Sequence, residues 1–374
     1  MSSSYDAVII GAGIVGAACA HELASEGLRV AIVERDIIGG GATAAGMGHI
    51  VVMDDSPAQL VLTQYSQSLW NELAASLPAS VEYDRCGTLW IAADEEEMHE
   101  VRRKHALYAA ANVPTEILDA QALADVEPNL REPLAGALLV PSDAVLYPPC
   151  AAAYLIAGAQ QNRAEFVQGK TVLSAHQGNV RLSDGTAISA ASIIHATGAG
   201  ATALLPDLPI KKRKGHLIIT DRYPGFVRHQ LVELGYLKSA HSVSSDSVAF
   251  NVQPRRTGQL LIGSSRQYGA EDSQIDHGIL ASMLQRAGEY LPELGNLSGI
   301  RAWTGFRAAT PDKLPLIGPT EDPTVYLATG HEGLGITTSL ATARLLTDSL
   351  LNRQPAIPIE PYLPARFAVE AAHA

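Results

Sequence analysis

Six residues near the start of the chain, Gly11-Ala12-Gly13-Ile14-Val15-Gly16, constrain the fold more than any other stretch. They follow the apolar run Tyr5 to Ile10 and open an alanine-rich helical stretch, Ile14 to Glu26, that Gly27 ends. A second apolar run, Leu28 to Val33, finishes in Glu34, 18 residues after Gly16. Strand, glycine turn, helix and strand within about 30 residues is the unit a parallel sheet requires. Gly11 suits the tight turn, Gly13 lets backbone approach a pyrophosphate, and Gly16 lets helix and strand pack closely. The N–H groups that open the helix, those of Ile14 and Val15 included, then favour an anion. Glu34 is placed to accept hydrogen bonds from ribose hydroxyls, with Arg35 beside it in the same binding set.

Nicotinamide and flavin dinucleotides share this fingerprint, so a second segment must choose. It is Gly39-Gly40-Gly41-Ala42-Thr43-Ala44-Ala45-Gly46-Met47-Gly48, with nothing bulky until Met47. Small residues let backbone lie against a broad planar ring, whereas a plain nicotinamide dehydrogenase would run straight into a helix here. Flexible filler is the alternative reading of such a loop. A third segment, Ile193 to Gly198, ends a buried strand in Ala196-Thr197-Gly198 and sets small residues beside the dinucleotide. A fourth, Tyr326 to Thr337, repeats the strand–glycine–helix form through Gly330, His331, Gly333, Leu334, Gly335, Ile336 and Thr337. Its helix start offers donors to an electron-rich group, such as the N1–C2=O edge of a reduced flavin. The fifth, Trp303 to Asp312, places Arg307 between an apolar strand and a turn, where it would fork a substrate carboxylate; a structural salt bridge is the alternative.

Composition narrows the function. Hydrophobic residues make up 47%, which supports a large core and excludes global disorder. With 39 acidic against 27 basic residues, nucleic-acid binding is excluded. The one basic cluster, Lys211 to Lys214, reads as a solvated loop, with an anion or partner-docking patch as the alternative. Cys19, Cys86 and Cys150 are scattered and odd in number, which fits a reducing compartment and gives no metal or iron–sulfur site. No secretory leader is visible, and no run of 18 apolar residues predicts a transmembrane segment. The expected location is cytoplasmic, with attachment to the inner membrane through partners left open.

The 374 residues suggest about two domains. Helices are expected at Pro57–Leu77, Glu95–Ala111, Cys150–Gln161, Gly278–Tyr290 and Thr337–Leu351. Strands are expected at Tyr83–Ala92, Phe166–Ala175, Val180–Leu182, Ala187–Ile194 and Val325–Ala328. A second sheet is expected from His216–Thr220, Ser247–Val252 and Gln259–Gly263, and the tail Pro355–Pro364 is expected to lie extended on the surface.

The five glycine and arginine segments, in this order, resemble the FAD-dependent glycine-oxidase and D-amino-acid-oxidase superfamily from Tyr5 to Phe367. The run Gly39 to Gly48 into His49-Ile50-Val51-Val52-Met53-Asp54-Asp55, with Gly330 to Gly335, is similar to the β subunit of bacterial D-hydroxyproline dehydrogenases. Similar subunits serve opine-oxidising enzymes, proline dehydrogenases and hydrogen cyanide synthase. The resemblance implies an α/β fold in which a Rossmann-type FAD-binding domain (1–82, 145–205 and 306–374) interleaves with a substrate domain (83–144 and 206–305) on a mixed, largely antiparallel sheet. It implies non-covalent FAD, a small amino-acid substrate, and partner subunits comprising a second flavin- or dinucleotide-binding chain and a small Fe–S chain. The implied reaction passes hydride from Cα to flavin N5, with (hydroxy-)D-proline first among substrates. A self-sufficient oxidase making peroxide, an opine-oxidising subunit and a flavin-bearing scaffold subunit are the alternatives.

Residue by residue, the resemblance makes Arg307 the carboxylate ligand and sets Ala42, Thr43, Ala45, Gly46, Met47 and Gly48 against the flavin. It puts Val172 on the adenine side and the Gly330–Thr337 loop around the ring. His49 is the titratable candidate for accepting a proton or a substrate hydroxyl, a backbone-bonded histidine being the bland alternative. Asn251, His216 and His331 are further pocket candidates. Gly333 stands where glycine oxidases carry an arginine, and Asn251 where they carry a tyrosine, which speaks against glycine as substrate. Leu261 stands where monomeric sarcosine oxidases carry an oxygen-activating lysine, which tilts toward a dehydrogenase.

Overall fold

The computed structural model describes residues 4–235 and 246–367. The expected domain segments reach 1–3, 236–245 and 368–374 as well, which lie outside the described residues. Two sheets dominate. The first has eight strands, and its central order is Leu316–Pro319, Val325–Thr329, Ala187–His195, Ser4–Ile10, Val30–Glu34 and Glu165–Gln168. Its inner pairs are parallel, with Ile10 opposite both His195 and Val33. Parallel strands are covered on both faces, which is why Val8, Ile9, Ile10 and Val30 to Val33 are apolar without alternation and buried.

Helix Ile14–Ser25 packs on one face of this sheet against helices Pro148–Gln161 and Gly335–Leu350. Its small residues, Ala17, Ala18, Cys19, Ala20 and Ala24, allow that crowding on several sides at once. Leu23, Leu155, Ile156, Leu345 and Leu346 fill the gaps, each buried side chain contributing about 1.5–3 kcal/mol.

The second sheet has nine strands in the order His331–Glu332, Gly299–Ala309, Lys211–Thr220, Leu260–Tyr268, Ser247–Pro254, Gln230–Glu233, Thr88–Ala92, Gly136–Val140 and Glu116–Asp119. Only Gln230–Glu233 and Thr88–Ala92 pair in parallel; every other neighbour is antiparallel. The sheet is therefore mixed and largely antiparallel, and it alternates with the first along the chain. Strand Gly299–Ala309 runs unbroken across the expected boundary between residues 305 and 306.

Several sequence expectations need correction. The basic cluster is not a solvated loop. It opens strand Lys211–Thr220, where Arg213 and Lys214 are buried and paired with Glu332 and Asp272. Strand hydrogen bonding on both sides, with an acid for each buried cation, outweighs the usual exposure of charge runs. The expected strand Phe166–Ala175 splits into Glu165–Gln168 and Val172–His176 around Gly169, whose φ of 76° turns the chain. The Tyr83 strand begins only at Thr88, after Gly87 with φ 75°. The Pro57 helix ends at Leu73 and tightens into a 3-10 turn, Ala74–Ser76. The tail is not simply extended on the surface: Tyr362 is buried, and its hydroxyl donates to the Ala58 carbonyl at 2.7 Å. All three cysteines are free thiols.

Candidate active site

A cavity of about 990 Å³ opens at the carboxyl ends of strands Ser4–Ile10, Val30–Glu34 and Ala187–His195 and extends over the face of the second sheet. This is the usual place for a ligand in an open α/β sheet, and the volume is near the top of the ~300–1,000 Å³ range of small-molecule sites.

The first-sheet end is made of backbone. Gly11 has φ 102°, and a Cβ there would lie 2.7 Å from the Ala196 carbonyl oxygen. Gly13 caps helix Ile14–Ser25 without a side chain, and Ile14 N–H donates to Thr43 Oγ1 at 3.0 Å. The glycine loop is thereby tied to the helix start. Glu34 accepts from Ala12 N–H at 2.7 Å and Asp36 N–H at 2.8 Å. These bonds fix its carboxylate at the cavity rim while a carboxylate still has lone pairs for ribose hydroxyls. Arg35 lines the same rim, exposed and paired with Asp36. Val172, Ala196, Thr197 and Gly198 line the cavity, and Thr197 Oγ1 is buried without a partner among the described residues.

Two expected cofactor contacts are not in the lining. Gly16 faces the turn instead: a Cβ there would sit 2.0 Å from the Gly11 carbonyl oxygen, so it serves close packing. Thr337 is a brace. Its hydroxyl donates to the His49 carbonyl at 2.8 Å and accepts from Val51 N–H at 3.4 Å.

The middle of the cavity is bounded by Ala42, Thr43, Ala45, Gly46, Met47 and Gly48 on one side and by Gly330, Gly333, Leu334, Gly335 and Ile336 on the other. Ala42–Ala45 forms a short helical turn rather than open loop. It packs so tightly on the second sheet that a Cβ at Gly305 would come within 2.4 Å of Ala45 Cβ. The opening N–H groups of helix Gly335–Leu350 have no intrahelical acceptor. A glycine-floored cradle, an unpartnered threonine hydroxyl and two helix N-termini together fit an extended dinucleotide with a broad ring.

The second-sheet end is made of side chains. Arg307 lines it and donates from Nη1 to the Ser265 carbonyl at 3.0 Å. Its guanidinium lies over Gly215, where a Cβ would be 2.5 Å from Nη1, and beside Gly333. His49 lines the cavity with Nε2 unpartnered among the described residues; burial, then Arg307, pulls its pKa down to about 4. Asn251 Oδ1 is likewise buried and unpartnered.

His216 and His331 also line the site, but their rings are engaged. Asp276 N–H donates to His216 Nε2 at 3.0 Å, so Nδ1 carries the proton toward Ser265 Oγ at 3.0 Å. His331 Nε2 bonds with Thr342 Oγ1 at 3.0 Å, and burial holds its pKa near 3. Both are braces.

Arg213, Arg266, Lys313, Glu332 and Trp90 also line the cavity and were not expected from the sequence. A period-two reading of Arg213, Gly215 and Leu217 would have put Arg213 on the site face. Glu332 offered no such signal. Behind Trp90, buried Lys104 pairs with Asp54 and lies 4.5 Å from the Trp90 ring and 4.8 Å from that of Tyr108. The segment leaving His49 is anchored there.

The chain is 30% identical to glycine oxidase of Pseudomonas aeruginosa, over 96% of this chain and 98% of that protein. It is 28% identical to hydrogen cyanide synthase subunit HcnC of the same organism, over 100% and 98%. The crystal structure of glycine oxidase from Geobacillus kaustophilus superposes with a TM-score of 0.87 at 26% identity, covering 97% of this chain and 99% of that one. The sequence pattern of the family described as FAD dependent oxidoreductase matches residues 6–349. The chain therefore belongs to that family, and the cofactor its glycine cradle fits is FAD.

Proposed function

We propose that this chain, an FAD-dependent oxidoreductase of amino acids, oxidises the Cα–N bond of a small secondary-amine amino acid as one subunit of a larger dehydrogenase. The carrying observation is Arg307, a guanidinium held by Ser265 over Gly215 and facing the cavity between the two glycine loops. When bound, FAD supplies the hydride acceptor, N5, for the substrate Cα–H. Arg307 would fork the carboxylate and fix which hydrogen faces the ring; such positioning contributes on the order of several kcal/mol. His49 stays neutral above about pH 4 and offers Nε2 to an amine or hydroxyl proton. Gly335 and Ile336 line the cavity at a helix start, where negative charge is favoured.

Within this class the resemblance puts (hydroxy-)D-proline first. Gly333 in place of an arginine supports a substrate other than glycine. HcnC is named as a synthase subunit, which supports a multi-subunit assembly; a second dinucleotide-binding chain and a small Fe–S chain are what the sequence resemblance adds to this proposal. Among the described residues no cluster could hold a metal, and no helix is long and apolar enough to cross a membrane. A cytoplasmic location, the domain segments named above and peripheral attachment through partners belong to the same proposal. An opine-type substrate is the second reading, favoured by the positive charge at the substrate end.

The test is anaerobic flavin reduction by the FAD-loaded chain across D- and L-proline, cis-4-hydroxy-D-proline, opines, sarcosine and glycine. Reduction by a secondary-amine amino acid, followed by slow reoxidation in air, is expected. Rapid peroxide production by the isolated chain would overturn the dehydrogenase reading. Unchanged turnover of the whole complex with Arg307→Ala would move substrate oxidation to another subunit.

A further inference from the structure

One wall of the substrate end is a single stretch of chain, His49 to Asp55. His49, Val51, Met53 and Asp55 line the cavity, while Ile50, Val52 and Asp54 stand outside the lining. This is the period-two pattern of extended chain. The position of the wall is therefore set from behind, by whatever holds the alternate residues.

The first two residues are held by a ladder, in which His49–Ile50 pairs antiparallel with Ala144–Val145. Past Ile50 the ladder stops, and one side chain takes over. Asp143, which precedes the partner strand and is 1% exposed, accepts from Val52 N–H at 3.1 Å on Oδ1. The same oxygen accepts from Gln67 Nε2 of helix Pro57–Leu73 at 2.8 Å. The Asp143 carbonyl accepts from Gly87 N–H at 3.0 Å, just before the strand that carries Trp90. The Tyr108 hydroxyl donates to the Val52 carbonyl at 3.0 Å. Val52 is thus clamped on both its backbone groups, by one acid and one phenol.

The second oxygen of that acid is free to change its role. Oδ2 and Thr88 Oγ1, both buried, lie close enough to interact, yet neither completes a well-aligned hydrogen bond among the described residues. A hydroxyl can donate to a carboxylate or accept from a carboxylic acid, so the pair suits either charge state. Burial pushes the Asp143 pKa up to about 7, opposed by hydrogen bonds from Thr88, Val52 and Gln67 and by the charge of Lys104. The other titratable groups around it are Tyr83 and Cys86, pushed up to about 12, Tyr108, also raised by burial, and Asp54, paired with Lys104.

We propose that Asp143 is a positioning residue for the substrate wall: through Val52 it sets where His49, Val51 and Met53 stand in the cavity. The ionised carboxylate holds Val52 N–H and Gln67 by charge-assisted bonds, roughly twice as strong as neutral ones. Those bonds are in force above the Asp143 pKa and weaken as the solution is acidified through it. The inference rests on this end of the cavity being the substrate site and is independent of which amino acid is oxidised.

The FAD-loaded chain is titrated with butyrate, which keeps its charge between about pH 6 and 8.5, and binding is read from the visible flavin spectrum. His49, with a pKa of about 4, and His331, with one of about 3, stay neutral across that range. The dissociation constant is expected to be about threefold larger or more at the acid end, with a midpoint at about pH 7. Asp143→Asn should remove the step and hold affinity near the acid-end value at every pH. Asp143→Ala should weaken binding about tenfold or more against the alkaline wild type. Tyr108→Phe, which loosens the same residue without touching the acid, should weaken binding but keep the step. A wild type without the step overturns the proposal. So does a step that survives in Asp143→Asn, or an Asn variant that binds more tightly, which would make Asp143 a charge opposing the ligand.

A second measurement needs no ligand. Amide hydrogen exchange at Val52 in the FAD-loaded chain, corrected for the intrinsic rate, should lose protection below about pH 7 in the wild type but not in Asp143→Asn. Protection without that step overturns the tether. A step in exchange with none in binding overturns the positioning role, because the tether then stops short of the site. If butyrate leaves the flavin spectrum unmoved at every pH, the reading of Arg307 as a carboxylate ligand fails, and the exchange series decides Asp143 by itself.

Discussion

The two ends of the cavity are built from different materials. At the FAD end the protein contributes backbone: glycines at positive φ or in close approach, helix N–H groups, and one fixed carboxylate, Glu34. At the substrate end it contributes charged side chains from separated strands, held by cross-strand register and paired acids. A backbone site tolerates few changes, because an added methyl meets main-chain atoms that cannot rotate away. A side-chain site is tunable, because rotamers and pairings can adjust. The first suits the FAD that the family shares; in the proposed function the second selects the substrate.

The sharpest break of this contrast is expected at Gly16. In Gly16→Ala the new Cβ would meet the Gly11 carbonyl oxygen at 2.0 Å, so the turn must move. A cost of about 3 kcal/mol or more is expected, with FAD retention lost. Thermal unfolding and FAD titration would show it, and a variant that retains FAD with unchanged affinity would break the comparison.

At the other end Arg307→Ala should leave FAD bound but lower kcat/KM by roughly 30-fold to several thousand-fold, the usual cost of removing one partner of a desolvated charge pair. Gly215→Ala sharpens the point. Its Cβ would crowd Nη1 at 2.5 Å, the far end of a flexible side chain, so a smaller loss, mostly in KM, is expected. Loss of FAD from either variant would mean that the two ends are not separable.

The smallest effect is expected at His195, which is fully buried with neither ring nitrogen partnered among the described residues. Burial lowers its pKa to about 4. Its folded form is therefore neutral where an unfolded histidine, with pKa ≈ 6.5, takes up a proton. The stability it confers is present above about pH 6.5 and falls as the solution is acidified toward 4. His195→Leu should change stability by about 1 kcal/mol or less at pH 7, yet exceed the wild type by roughly 2 kcal/mol at pH 5. Denaturant unfolding at the two pH values measures this.

Legibility in the sequence follows the same division. The glycine turn, the Gly39 loop and the Gly330 loop were readable because backbone demands leave a local trace at fixed spacing. Arg307 was readable because its strand and turn lie in one segment. Arg213, Arg266 and Glu332 were not: their meeting depends on which strands become neighbours, and no local pattern records that Arg213 sits opposite Arg307. His216 and His331 line the cavity, but their ring hydrogen bonds depend on Ser265, Asp276 and Thr342, which only the folded chain brings to them. Gly16 and Thr337 lie next to lining residues, yet each turns toward packing or bracing.

Gly333 differs from the other glycines of the site. Its backbone is not among those at positive φ, and a Cβ there would make only ordinary contact with Arg307, 3.7 Å from Nε. Nothing steric requires a glycine. A Cβ there would meet no protein atom closer than ordinary van der Waals contact. Of the glycines around the cavity, position 333 is therefore one where the protein itself leaves room for a side chain beside Arg307.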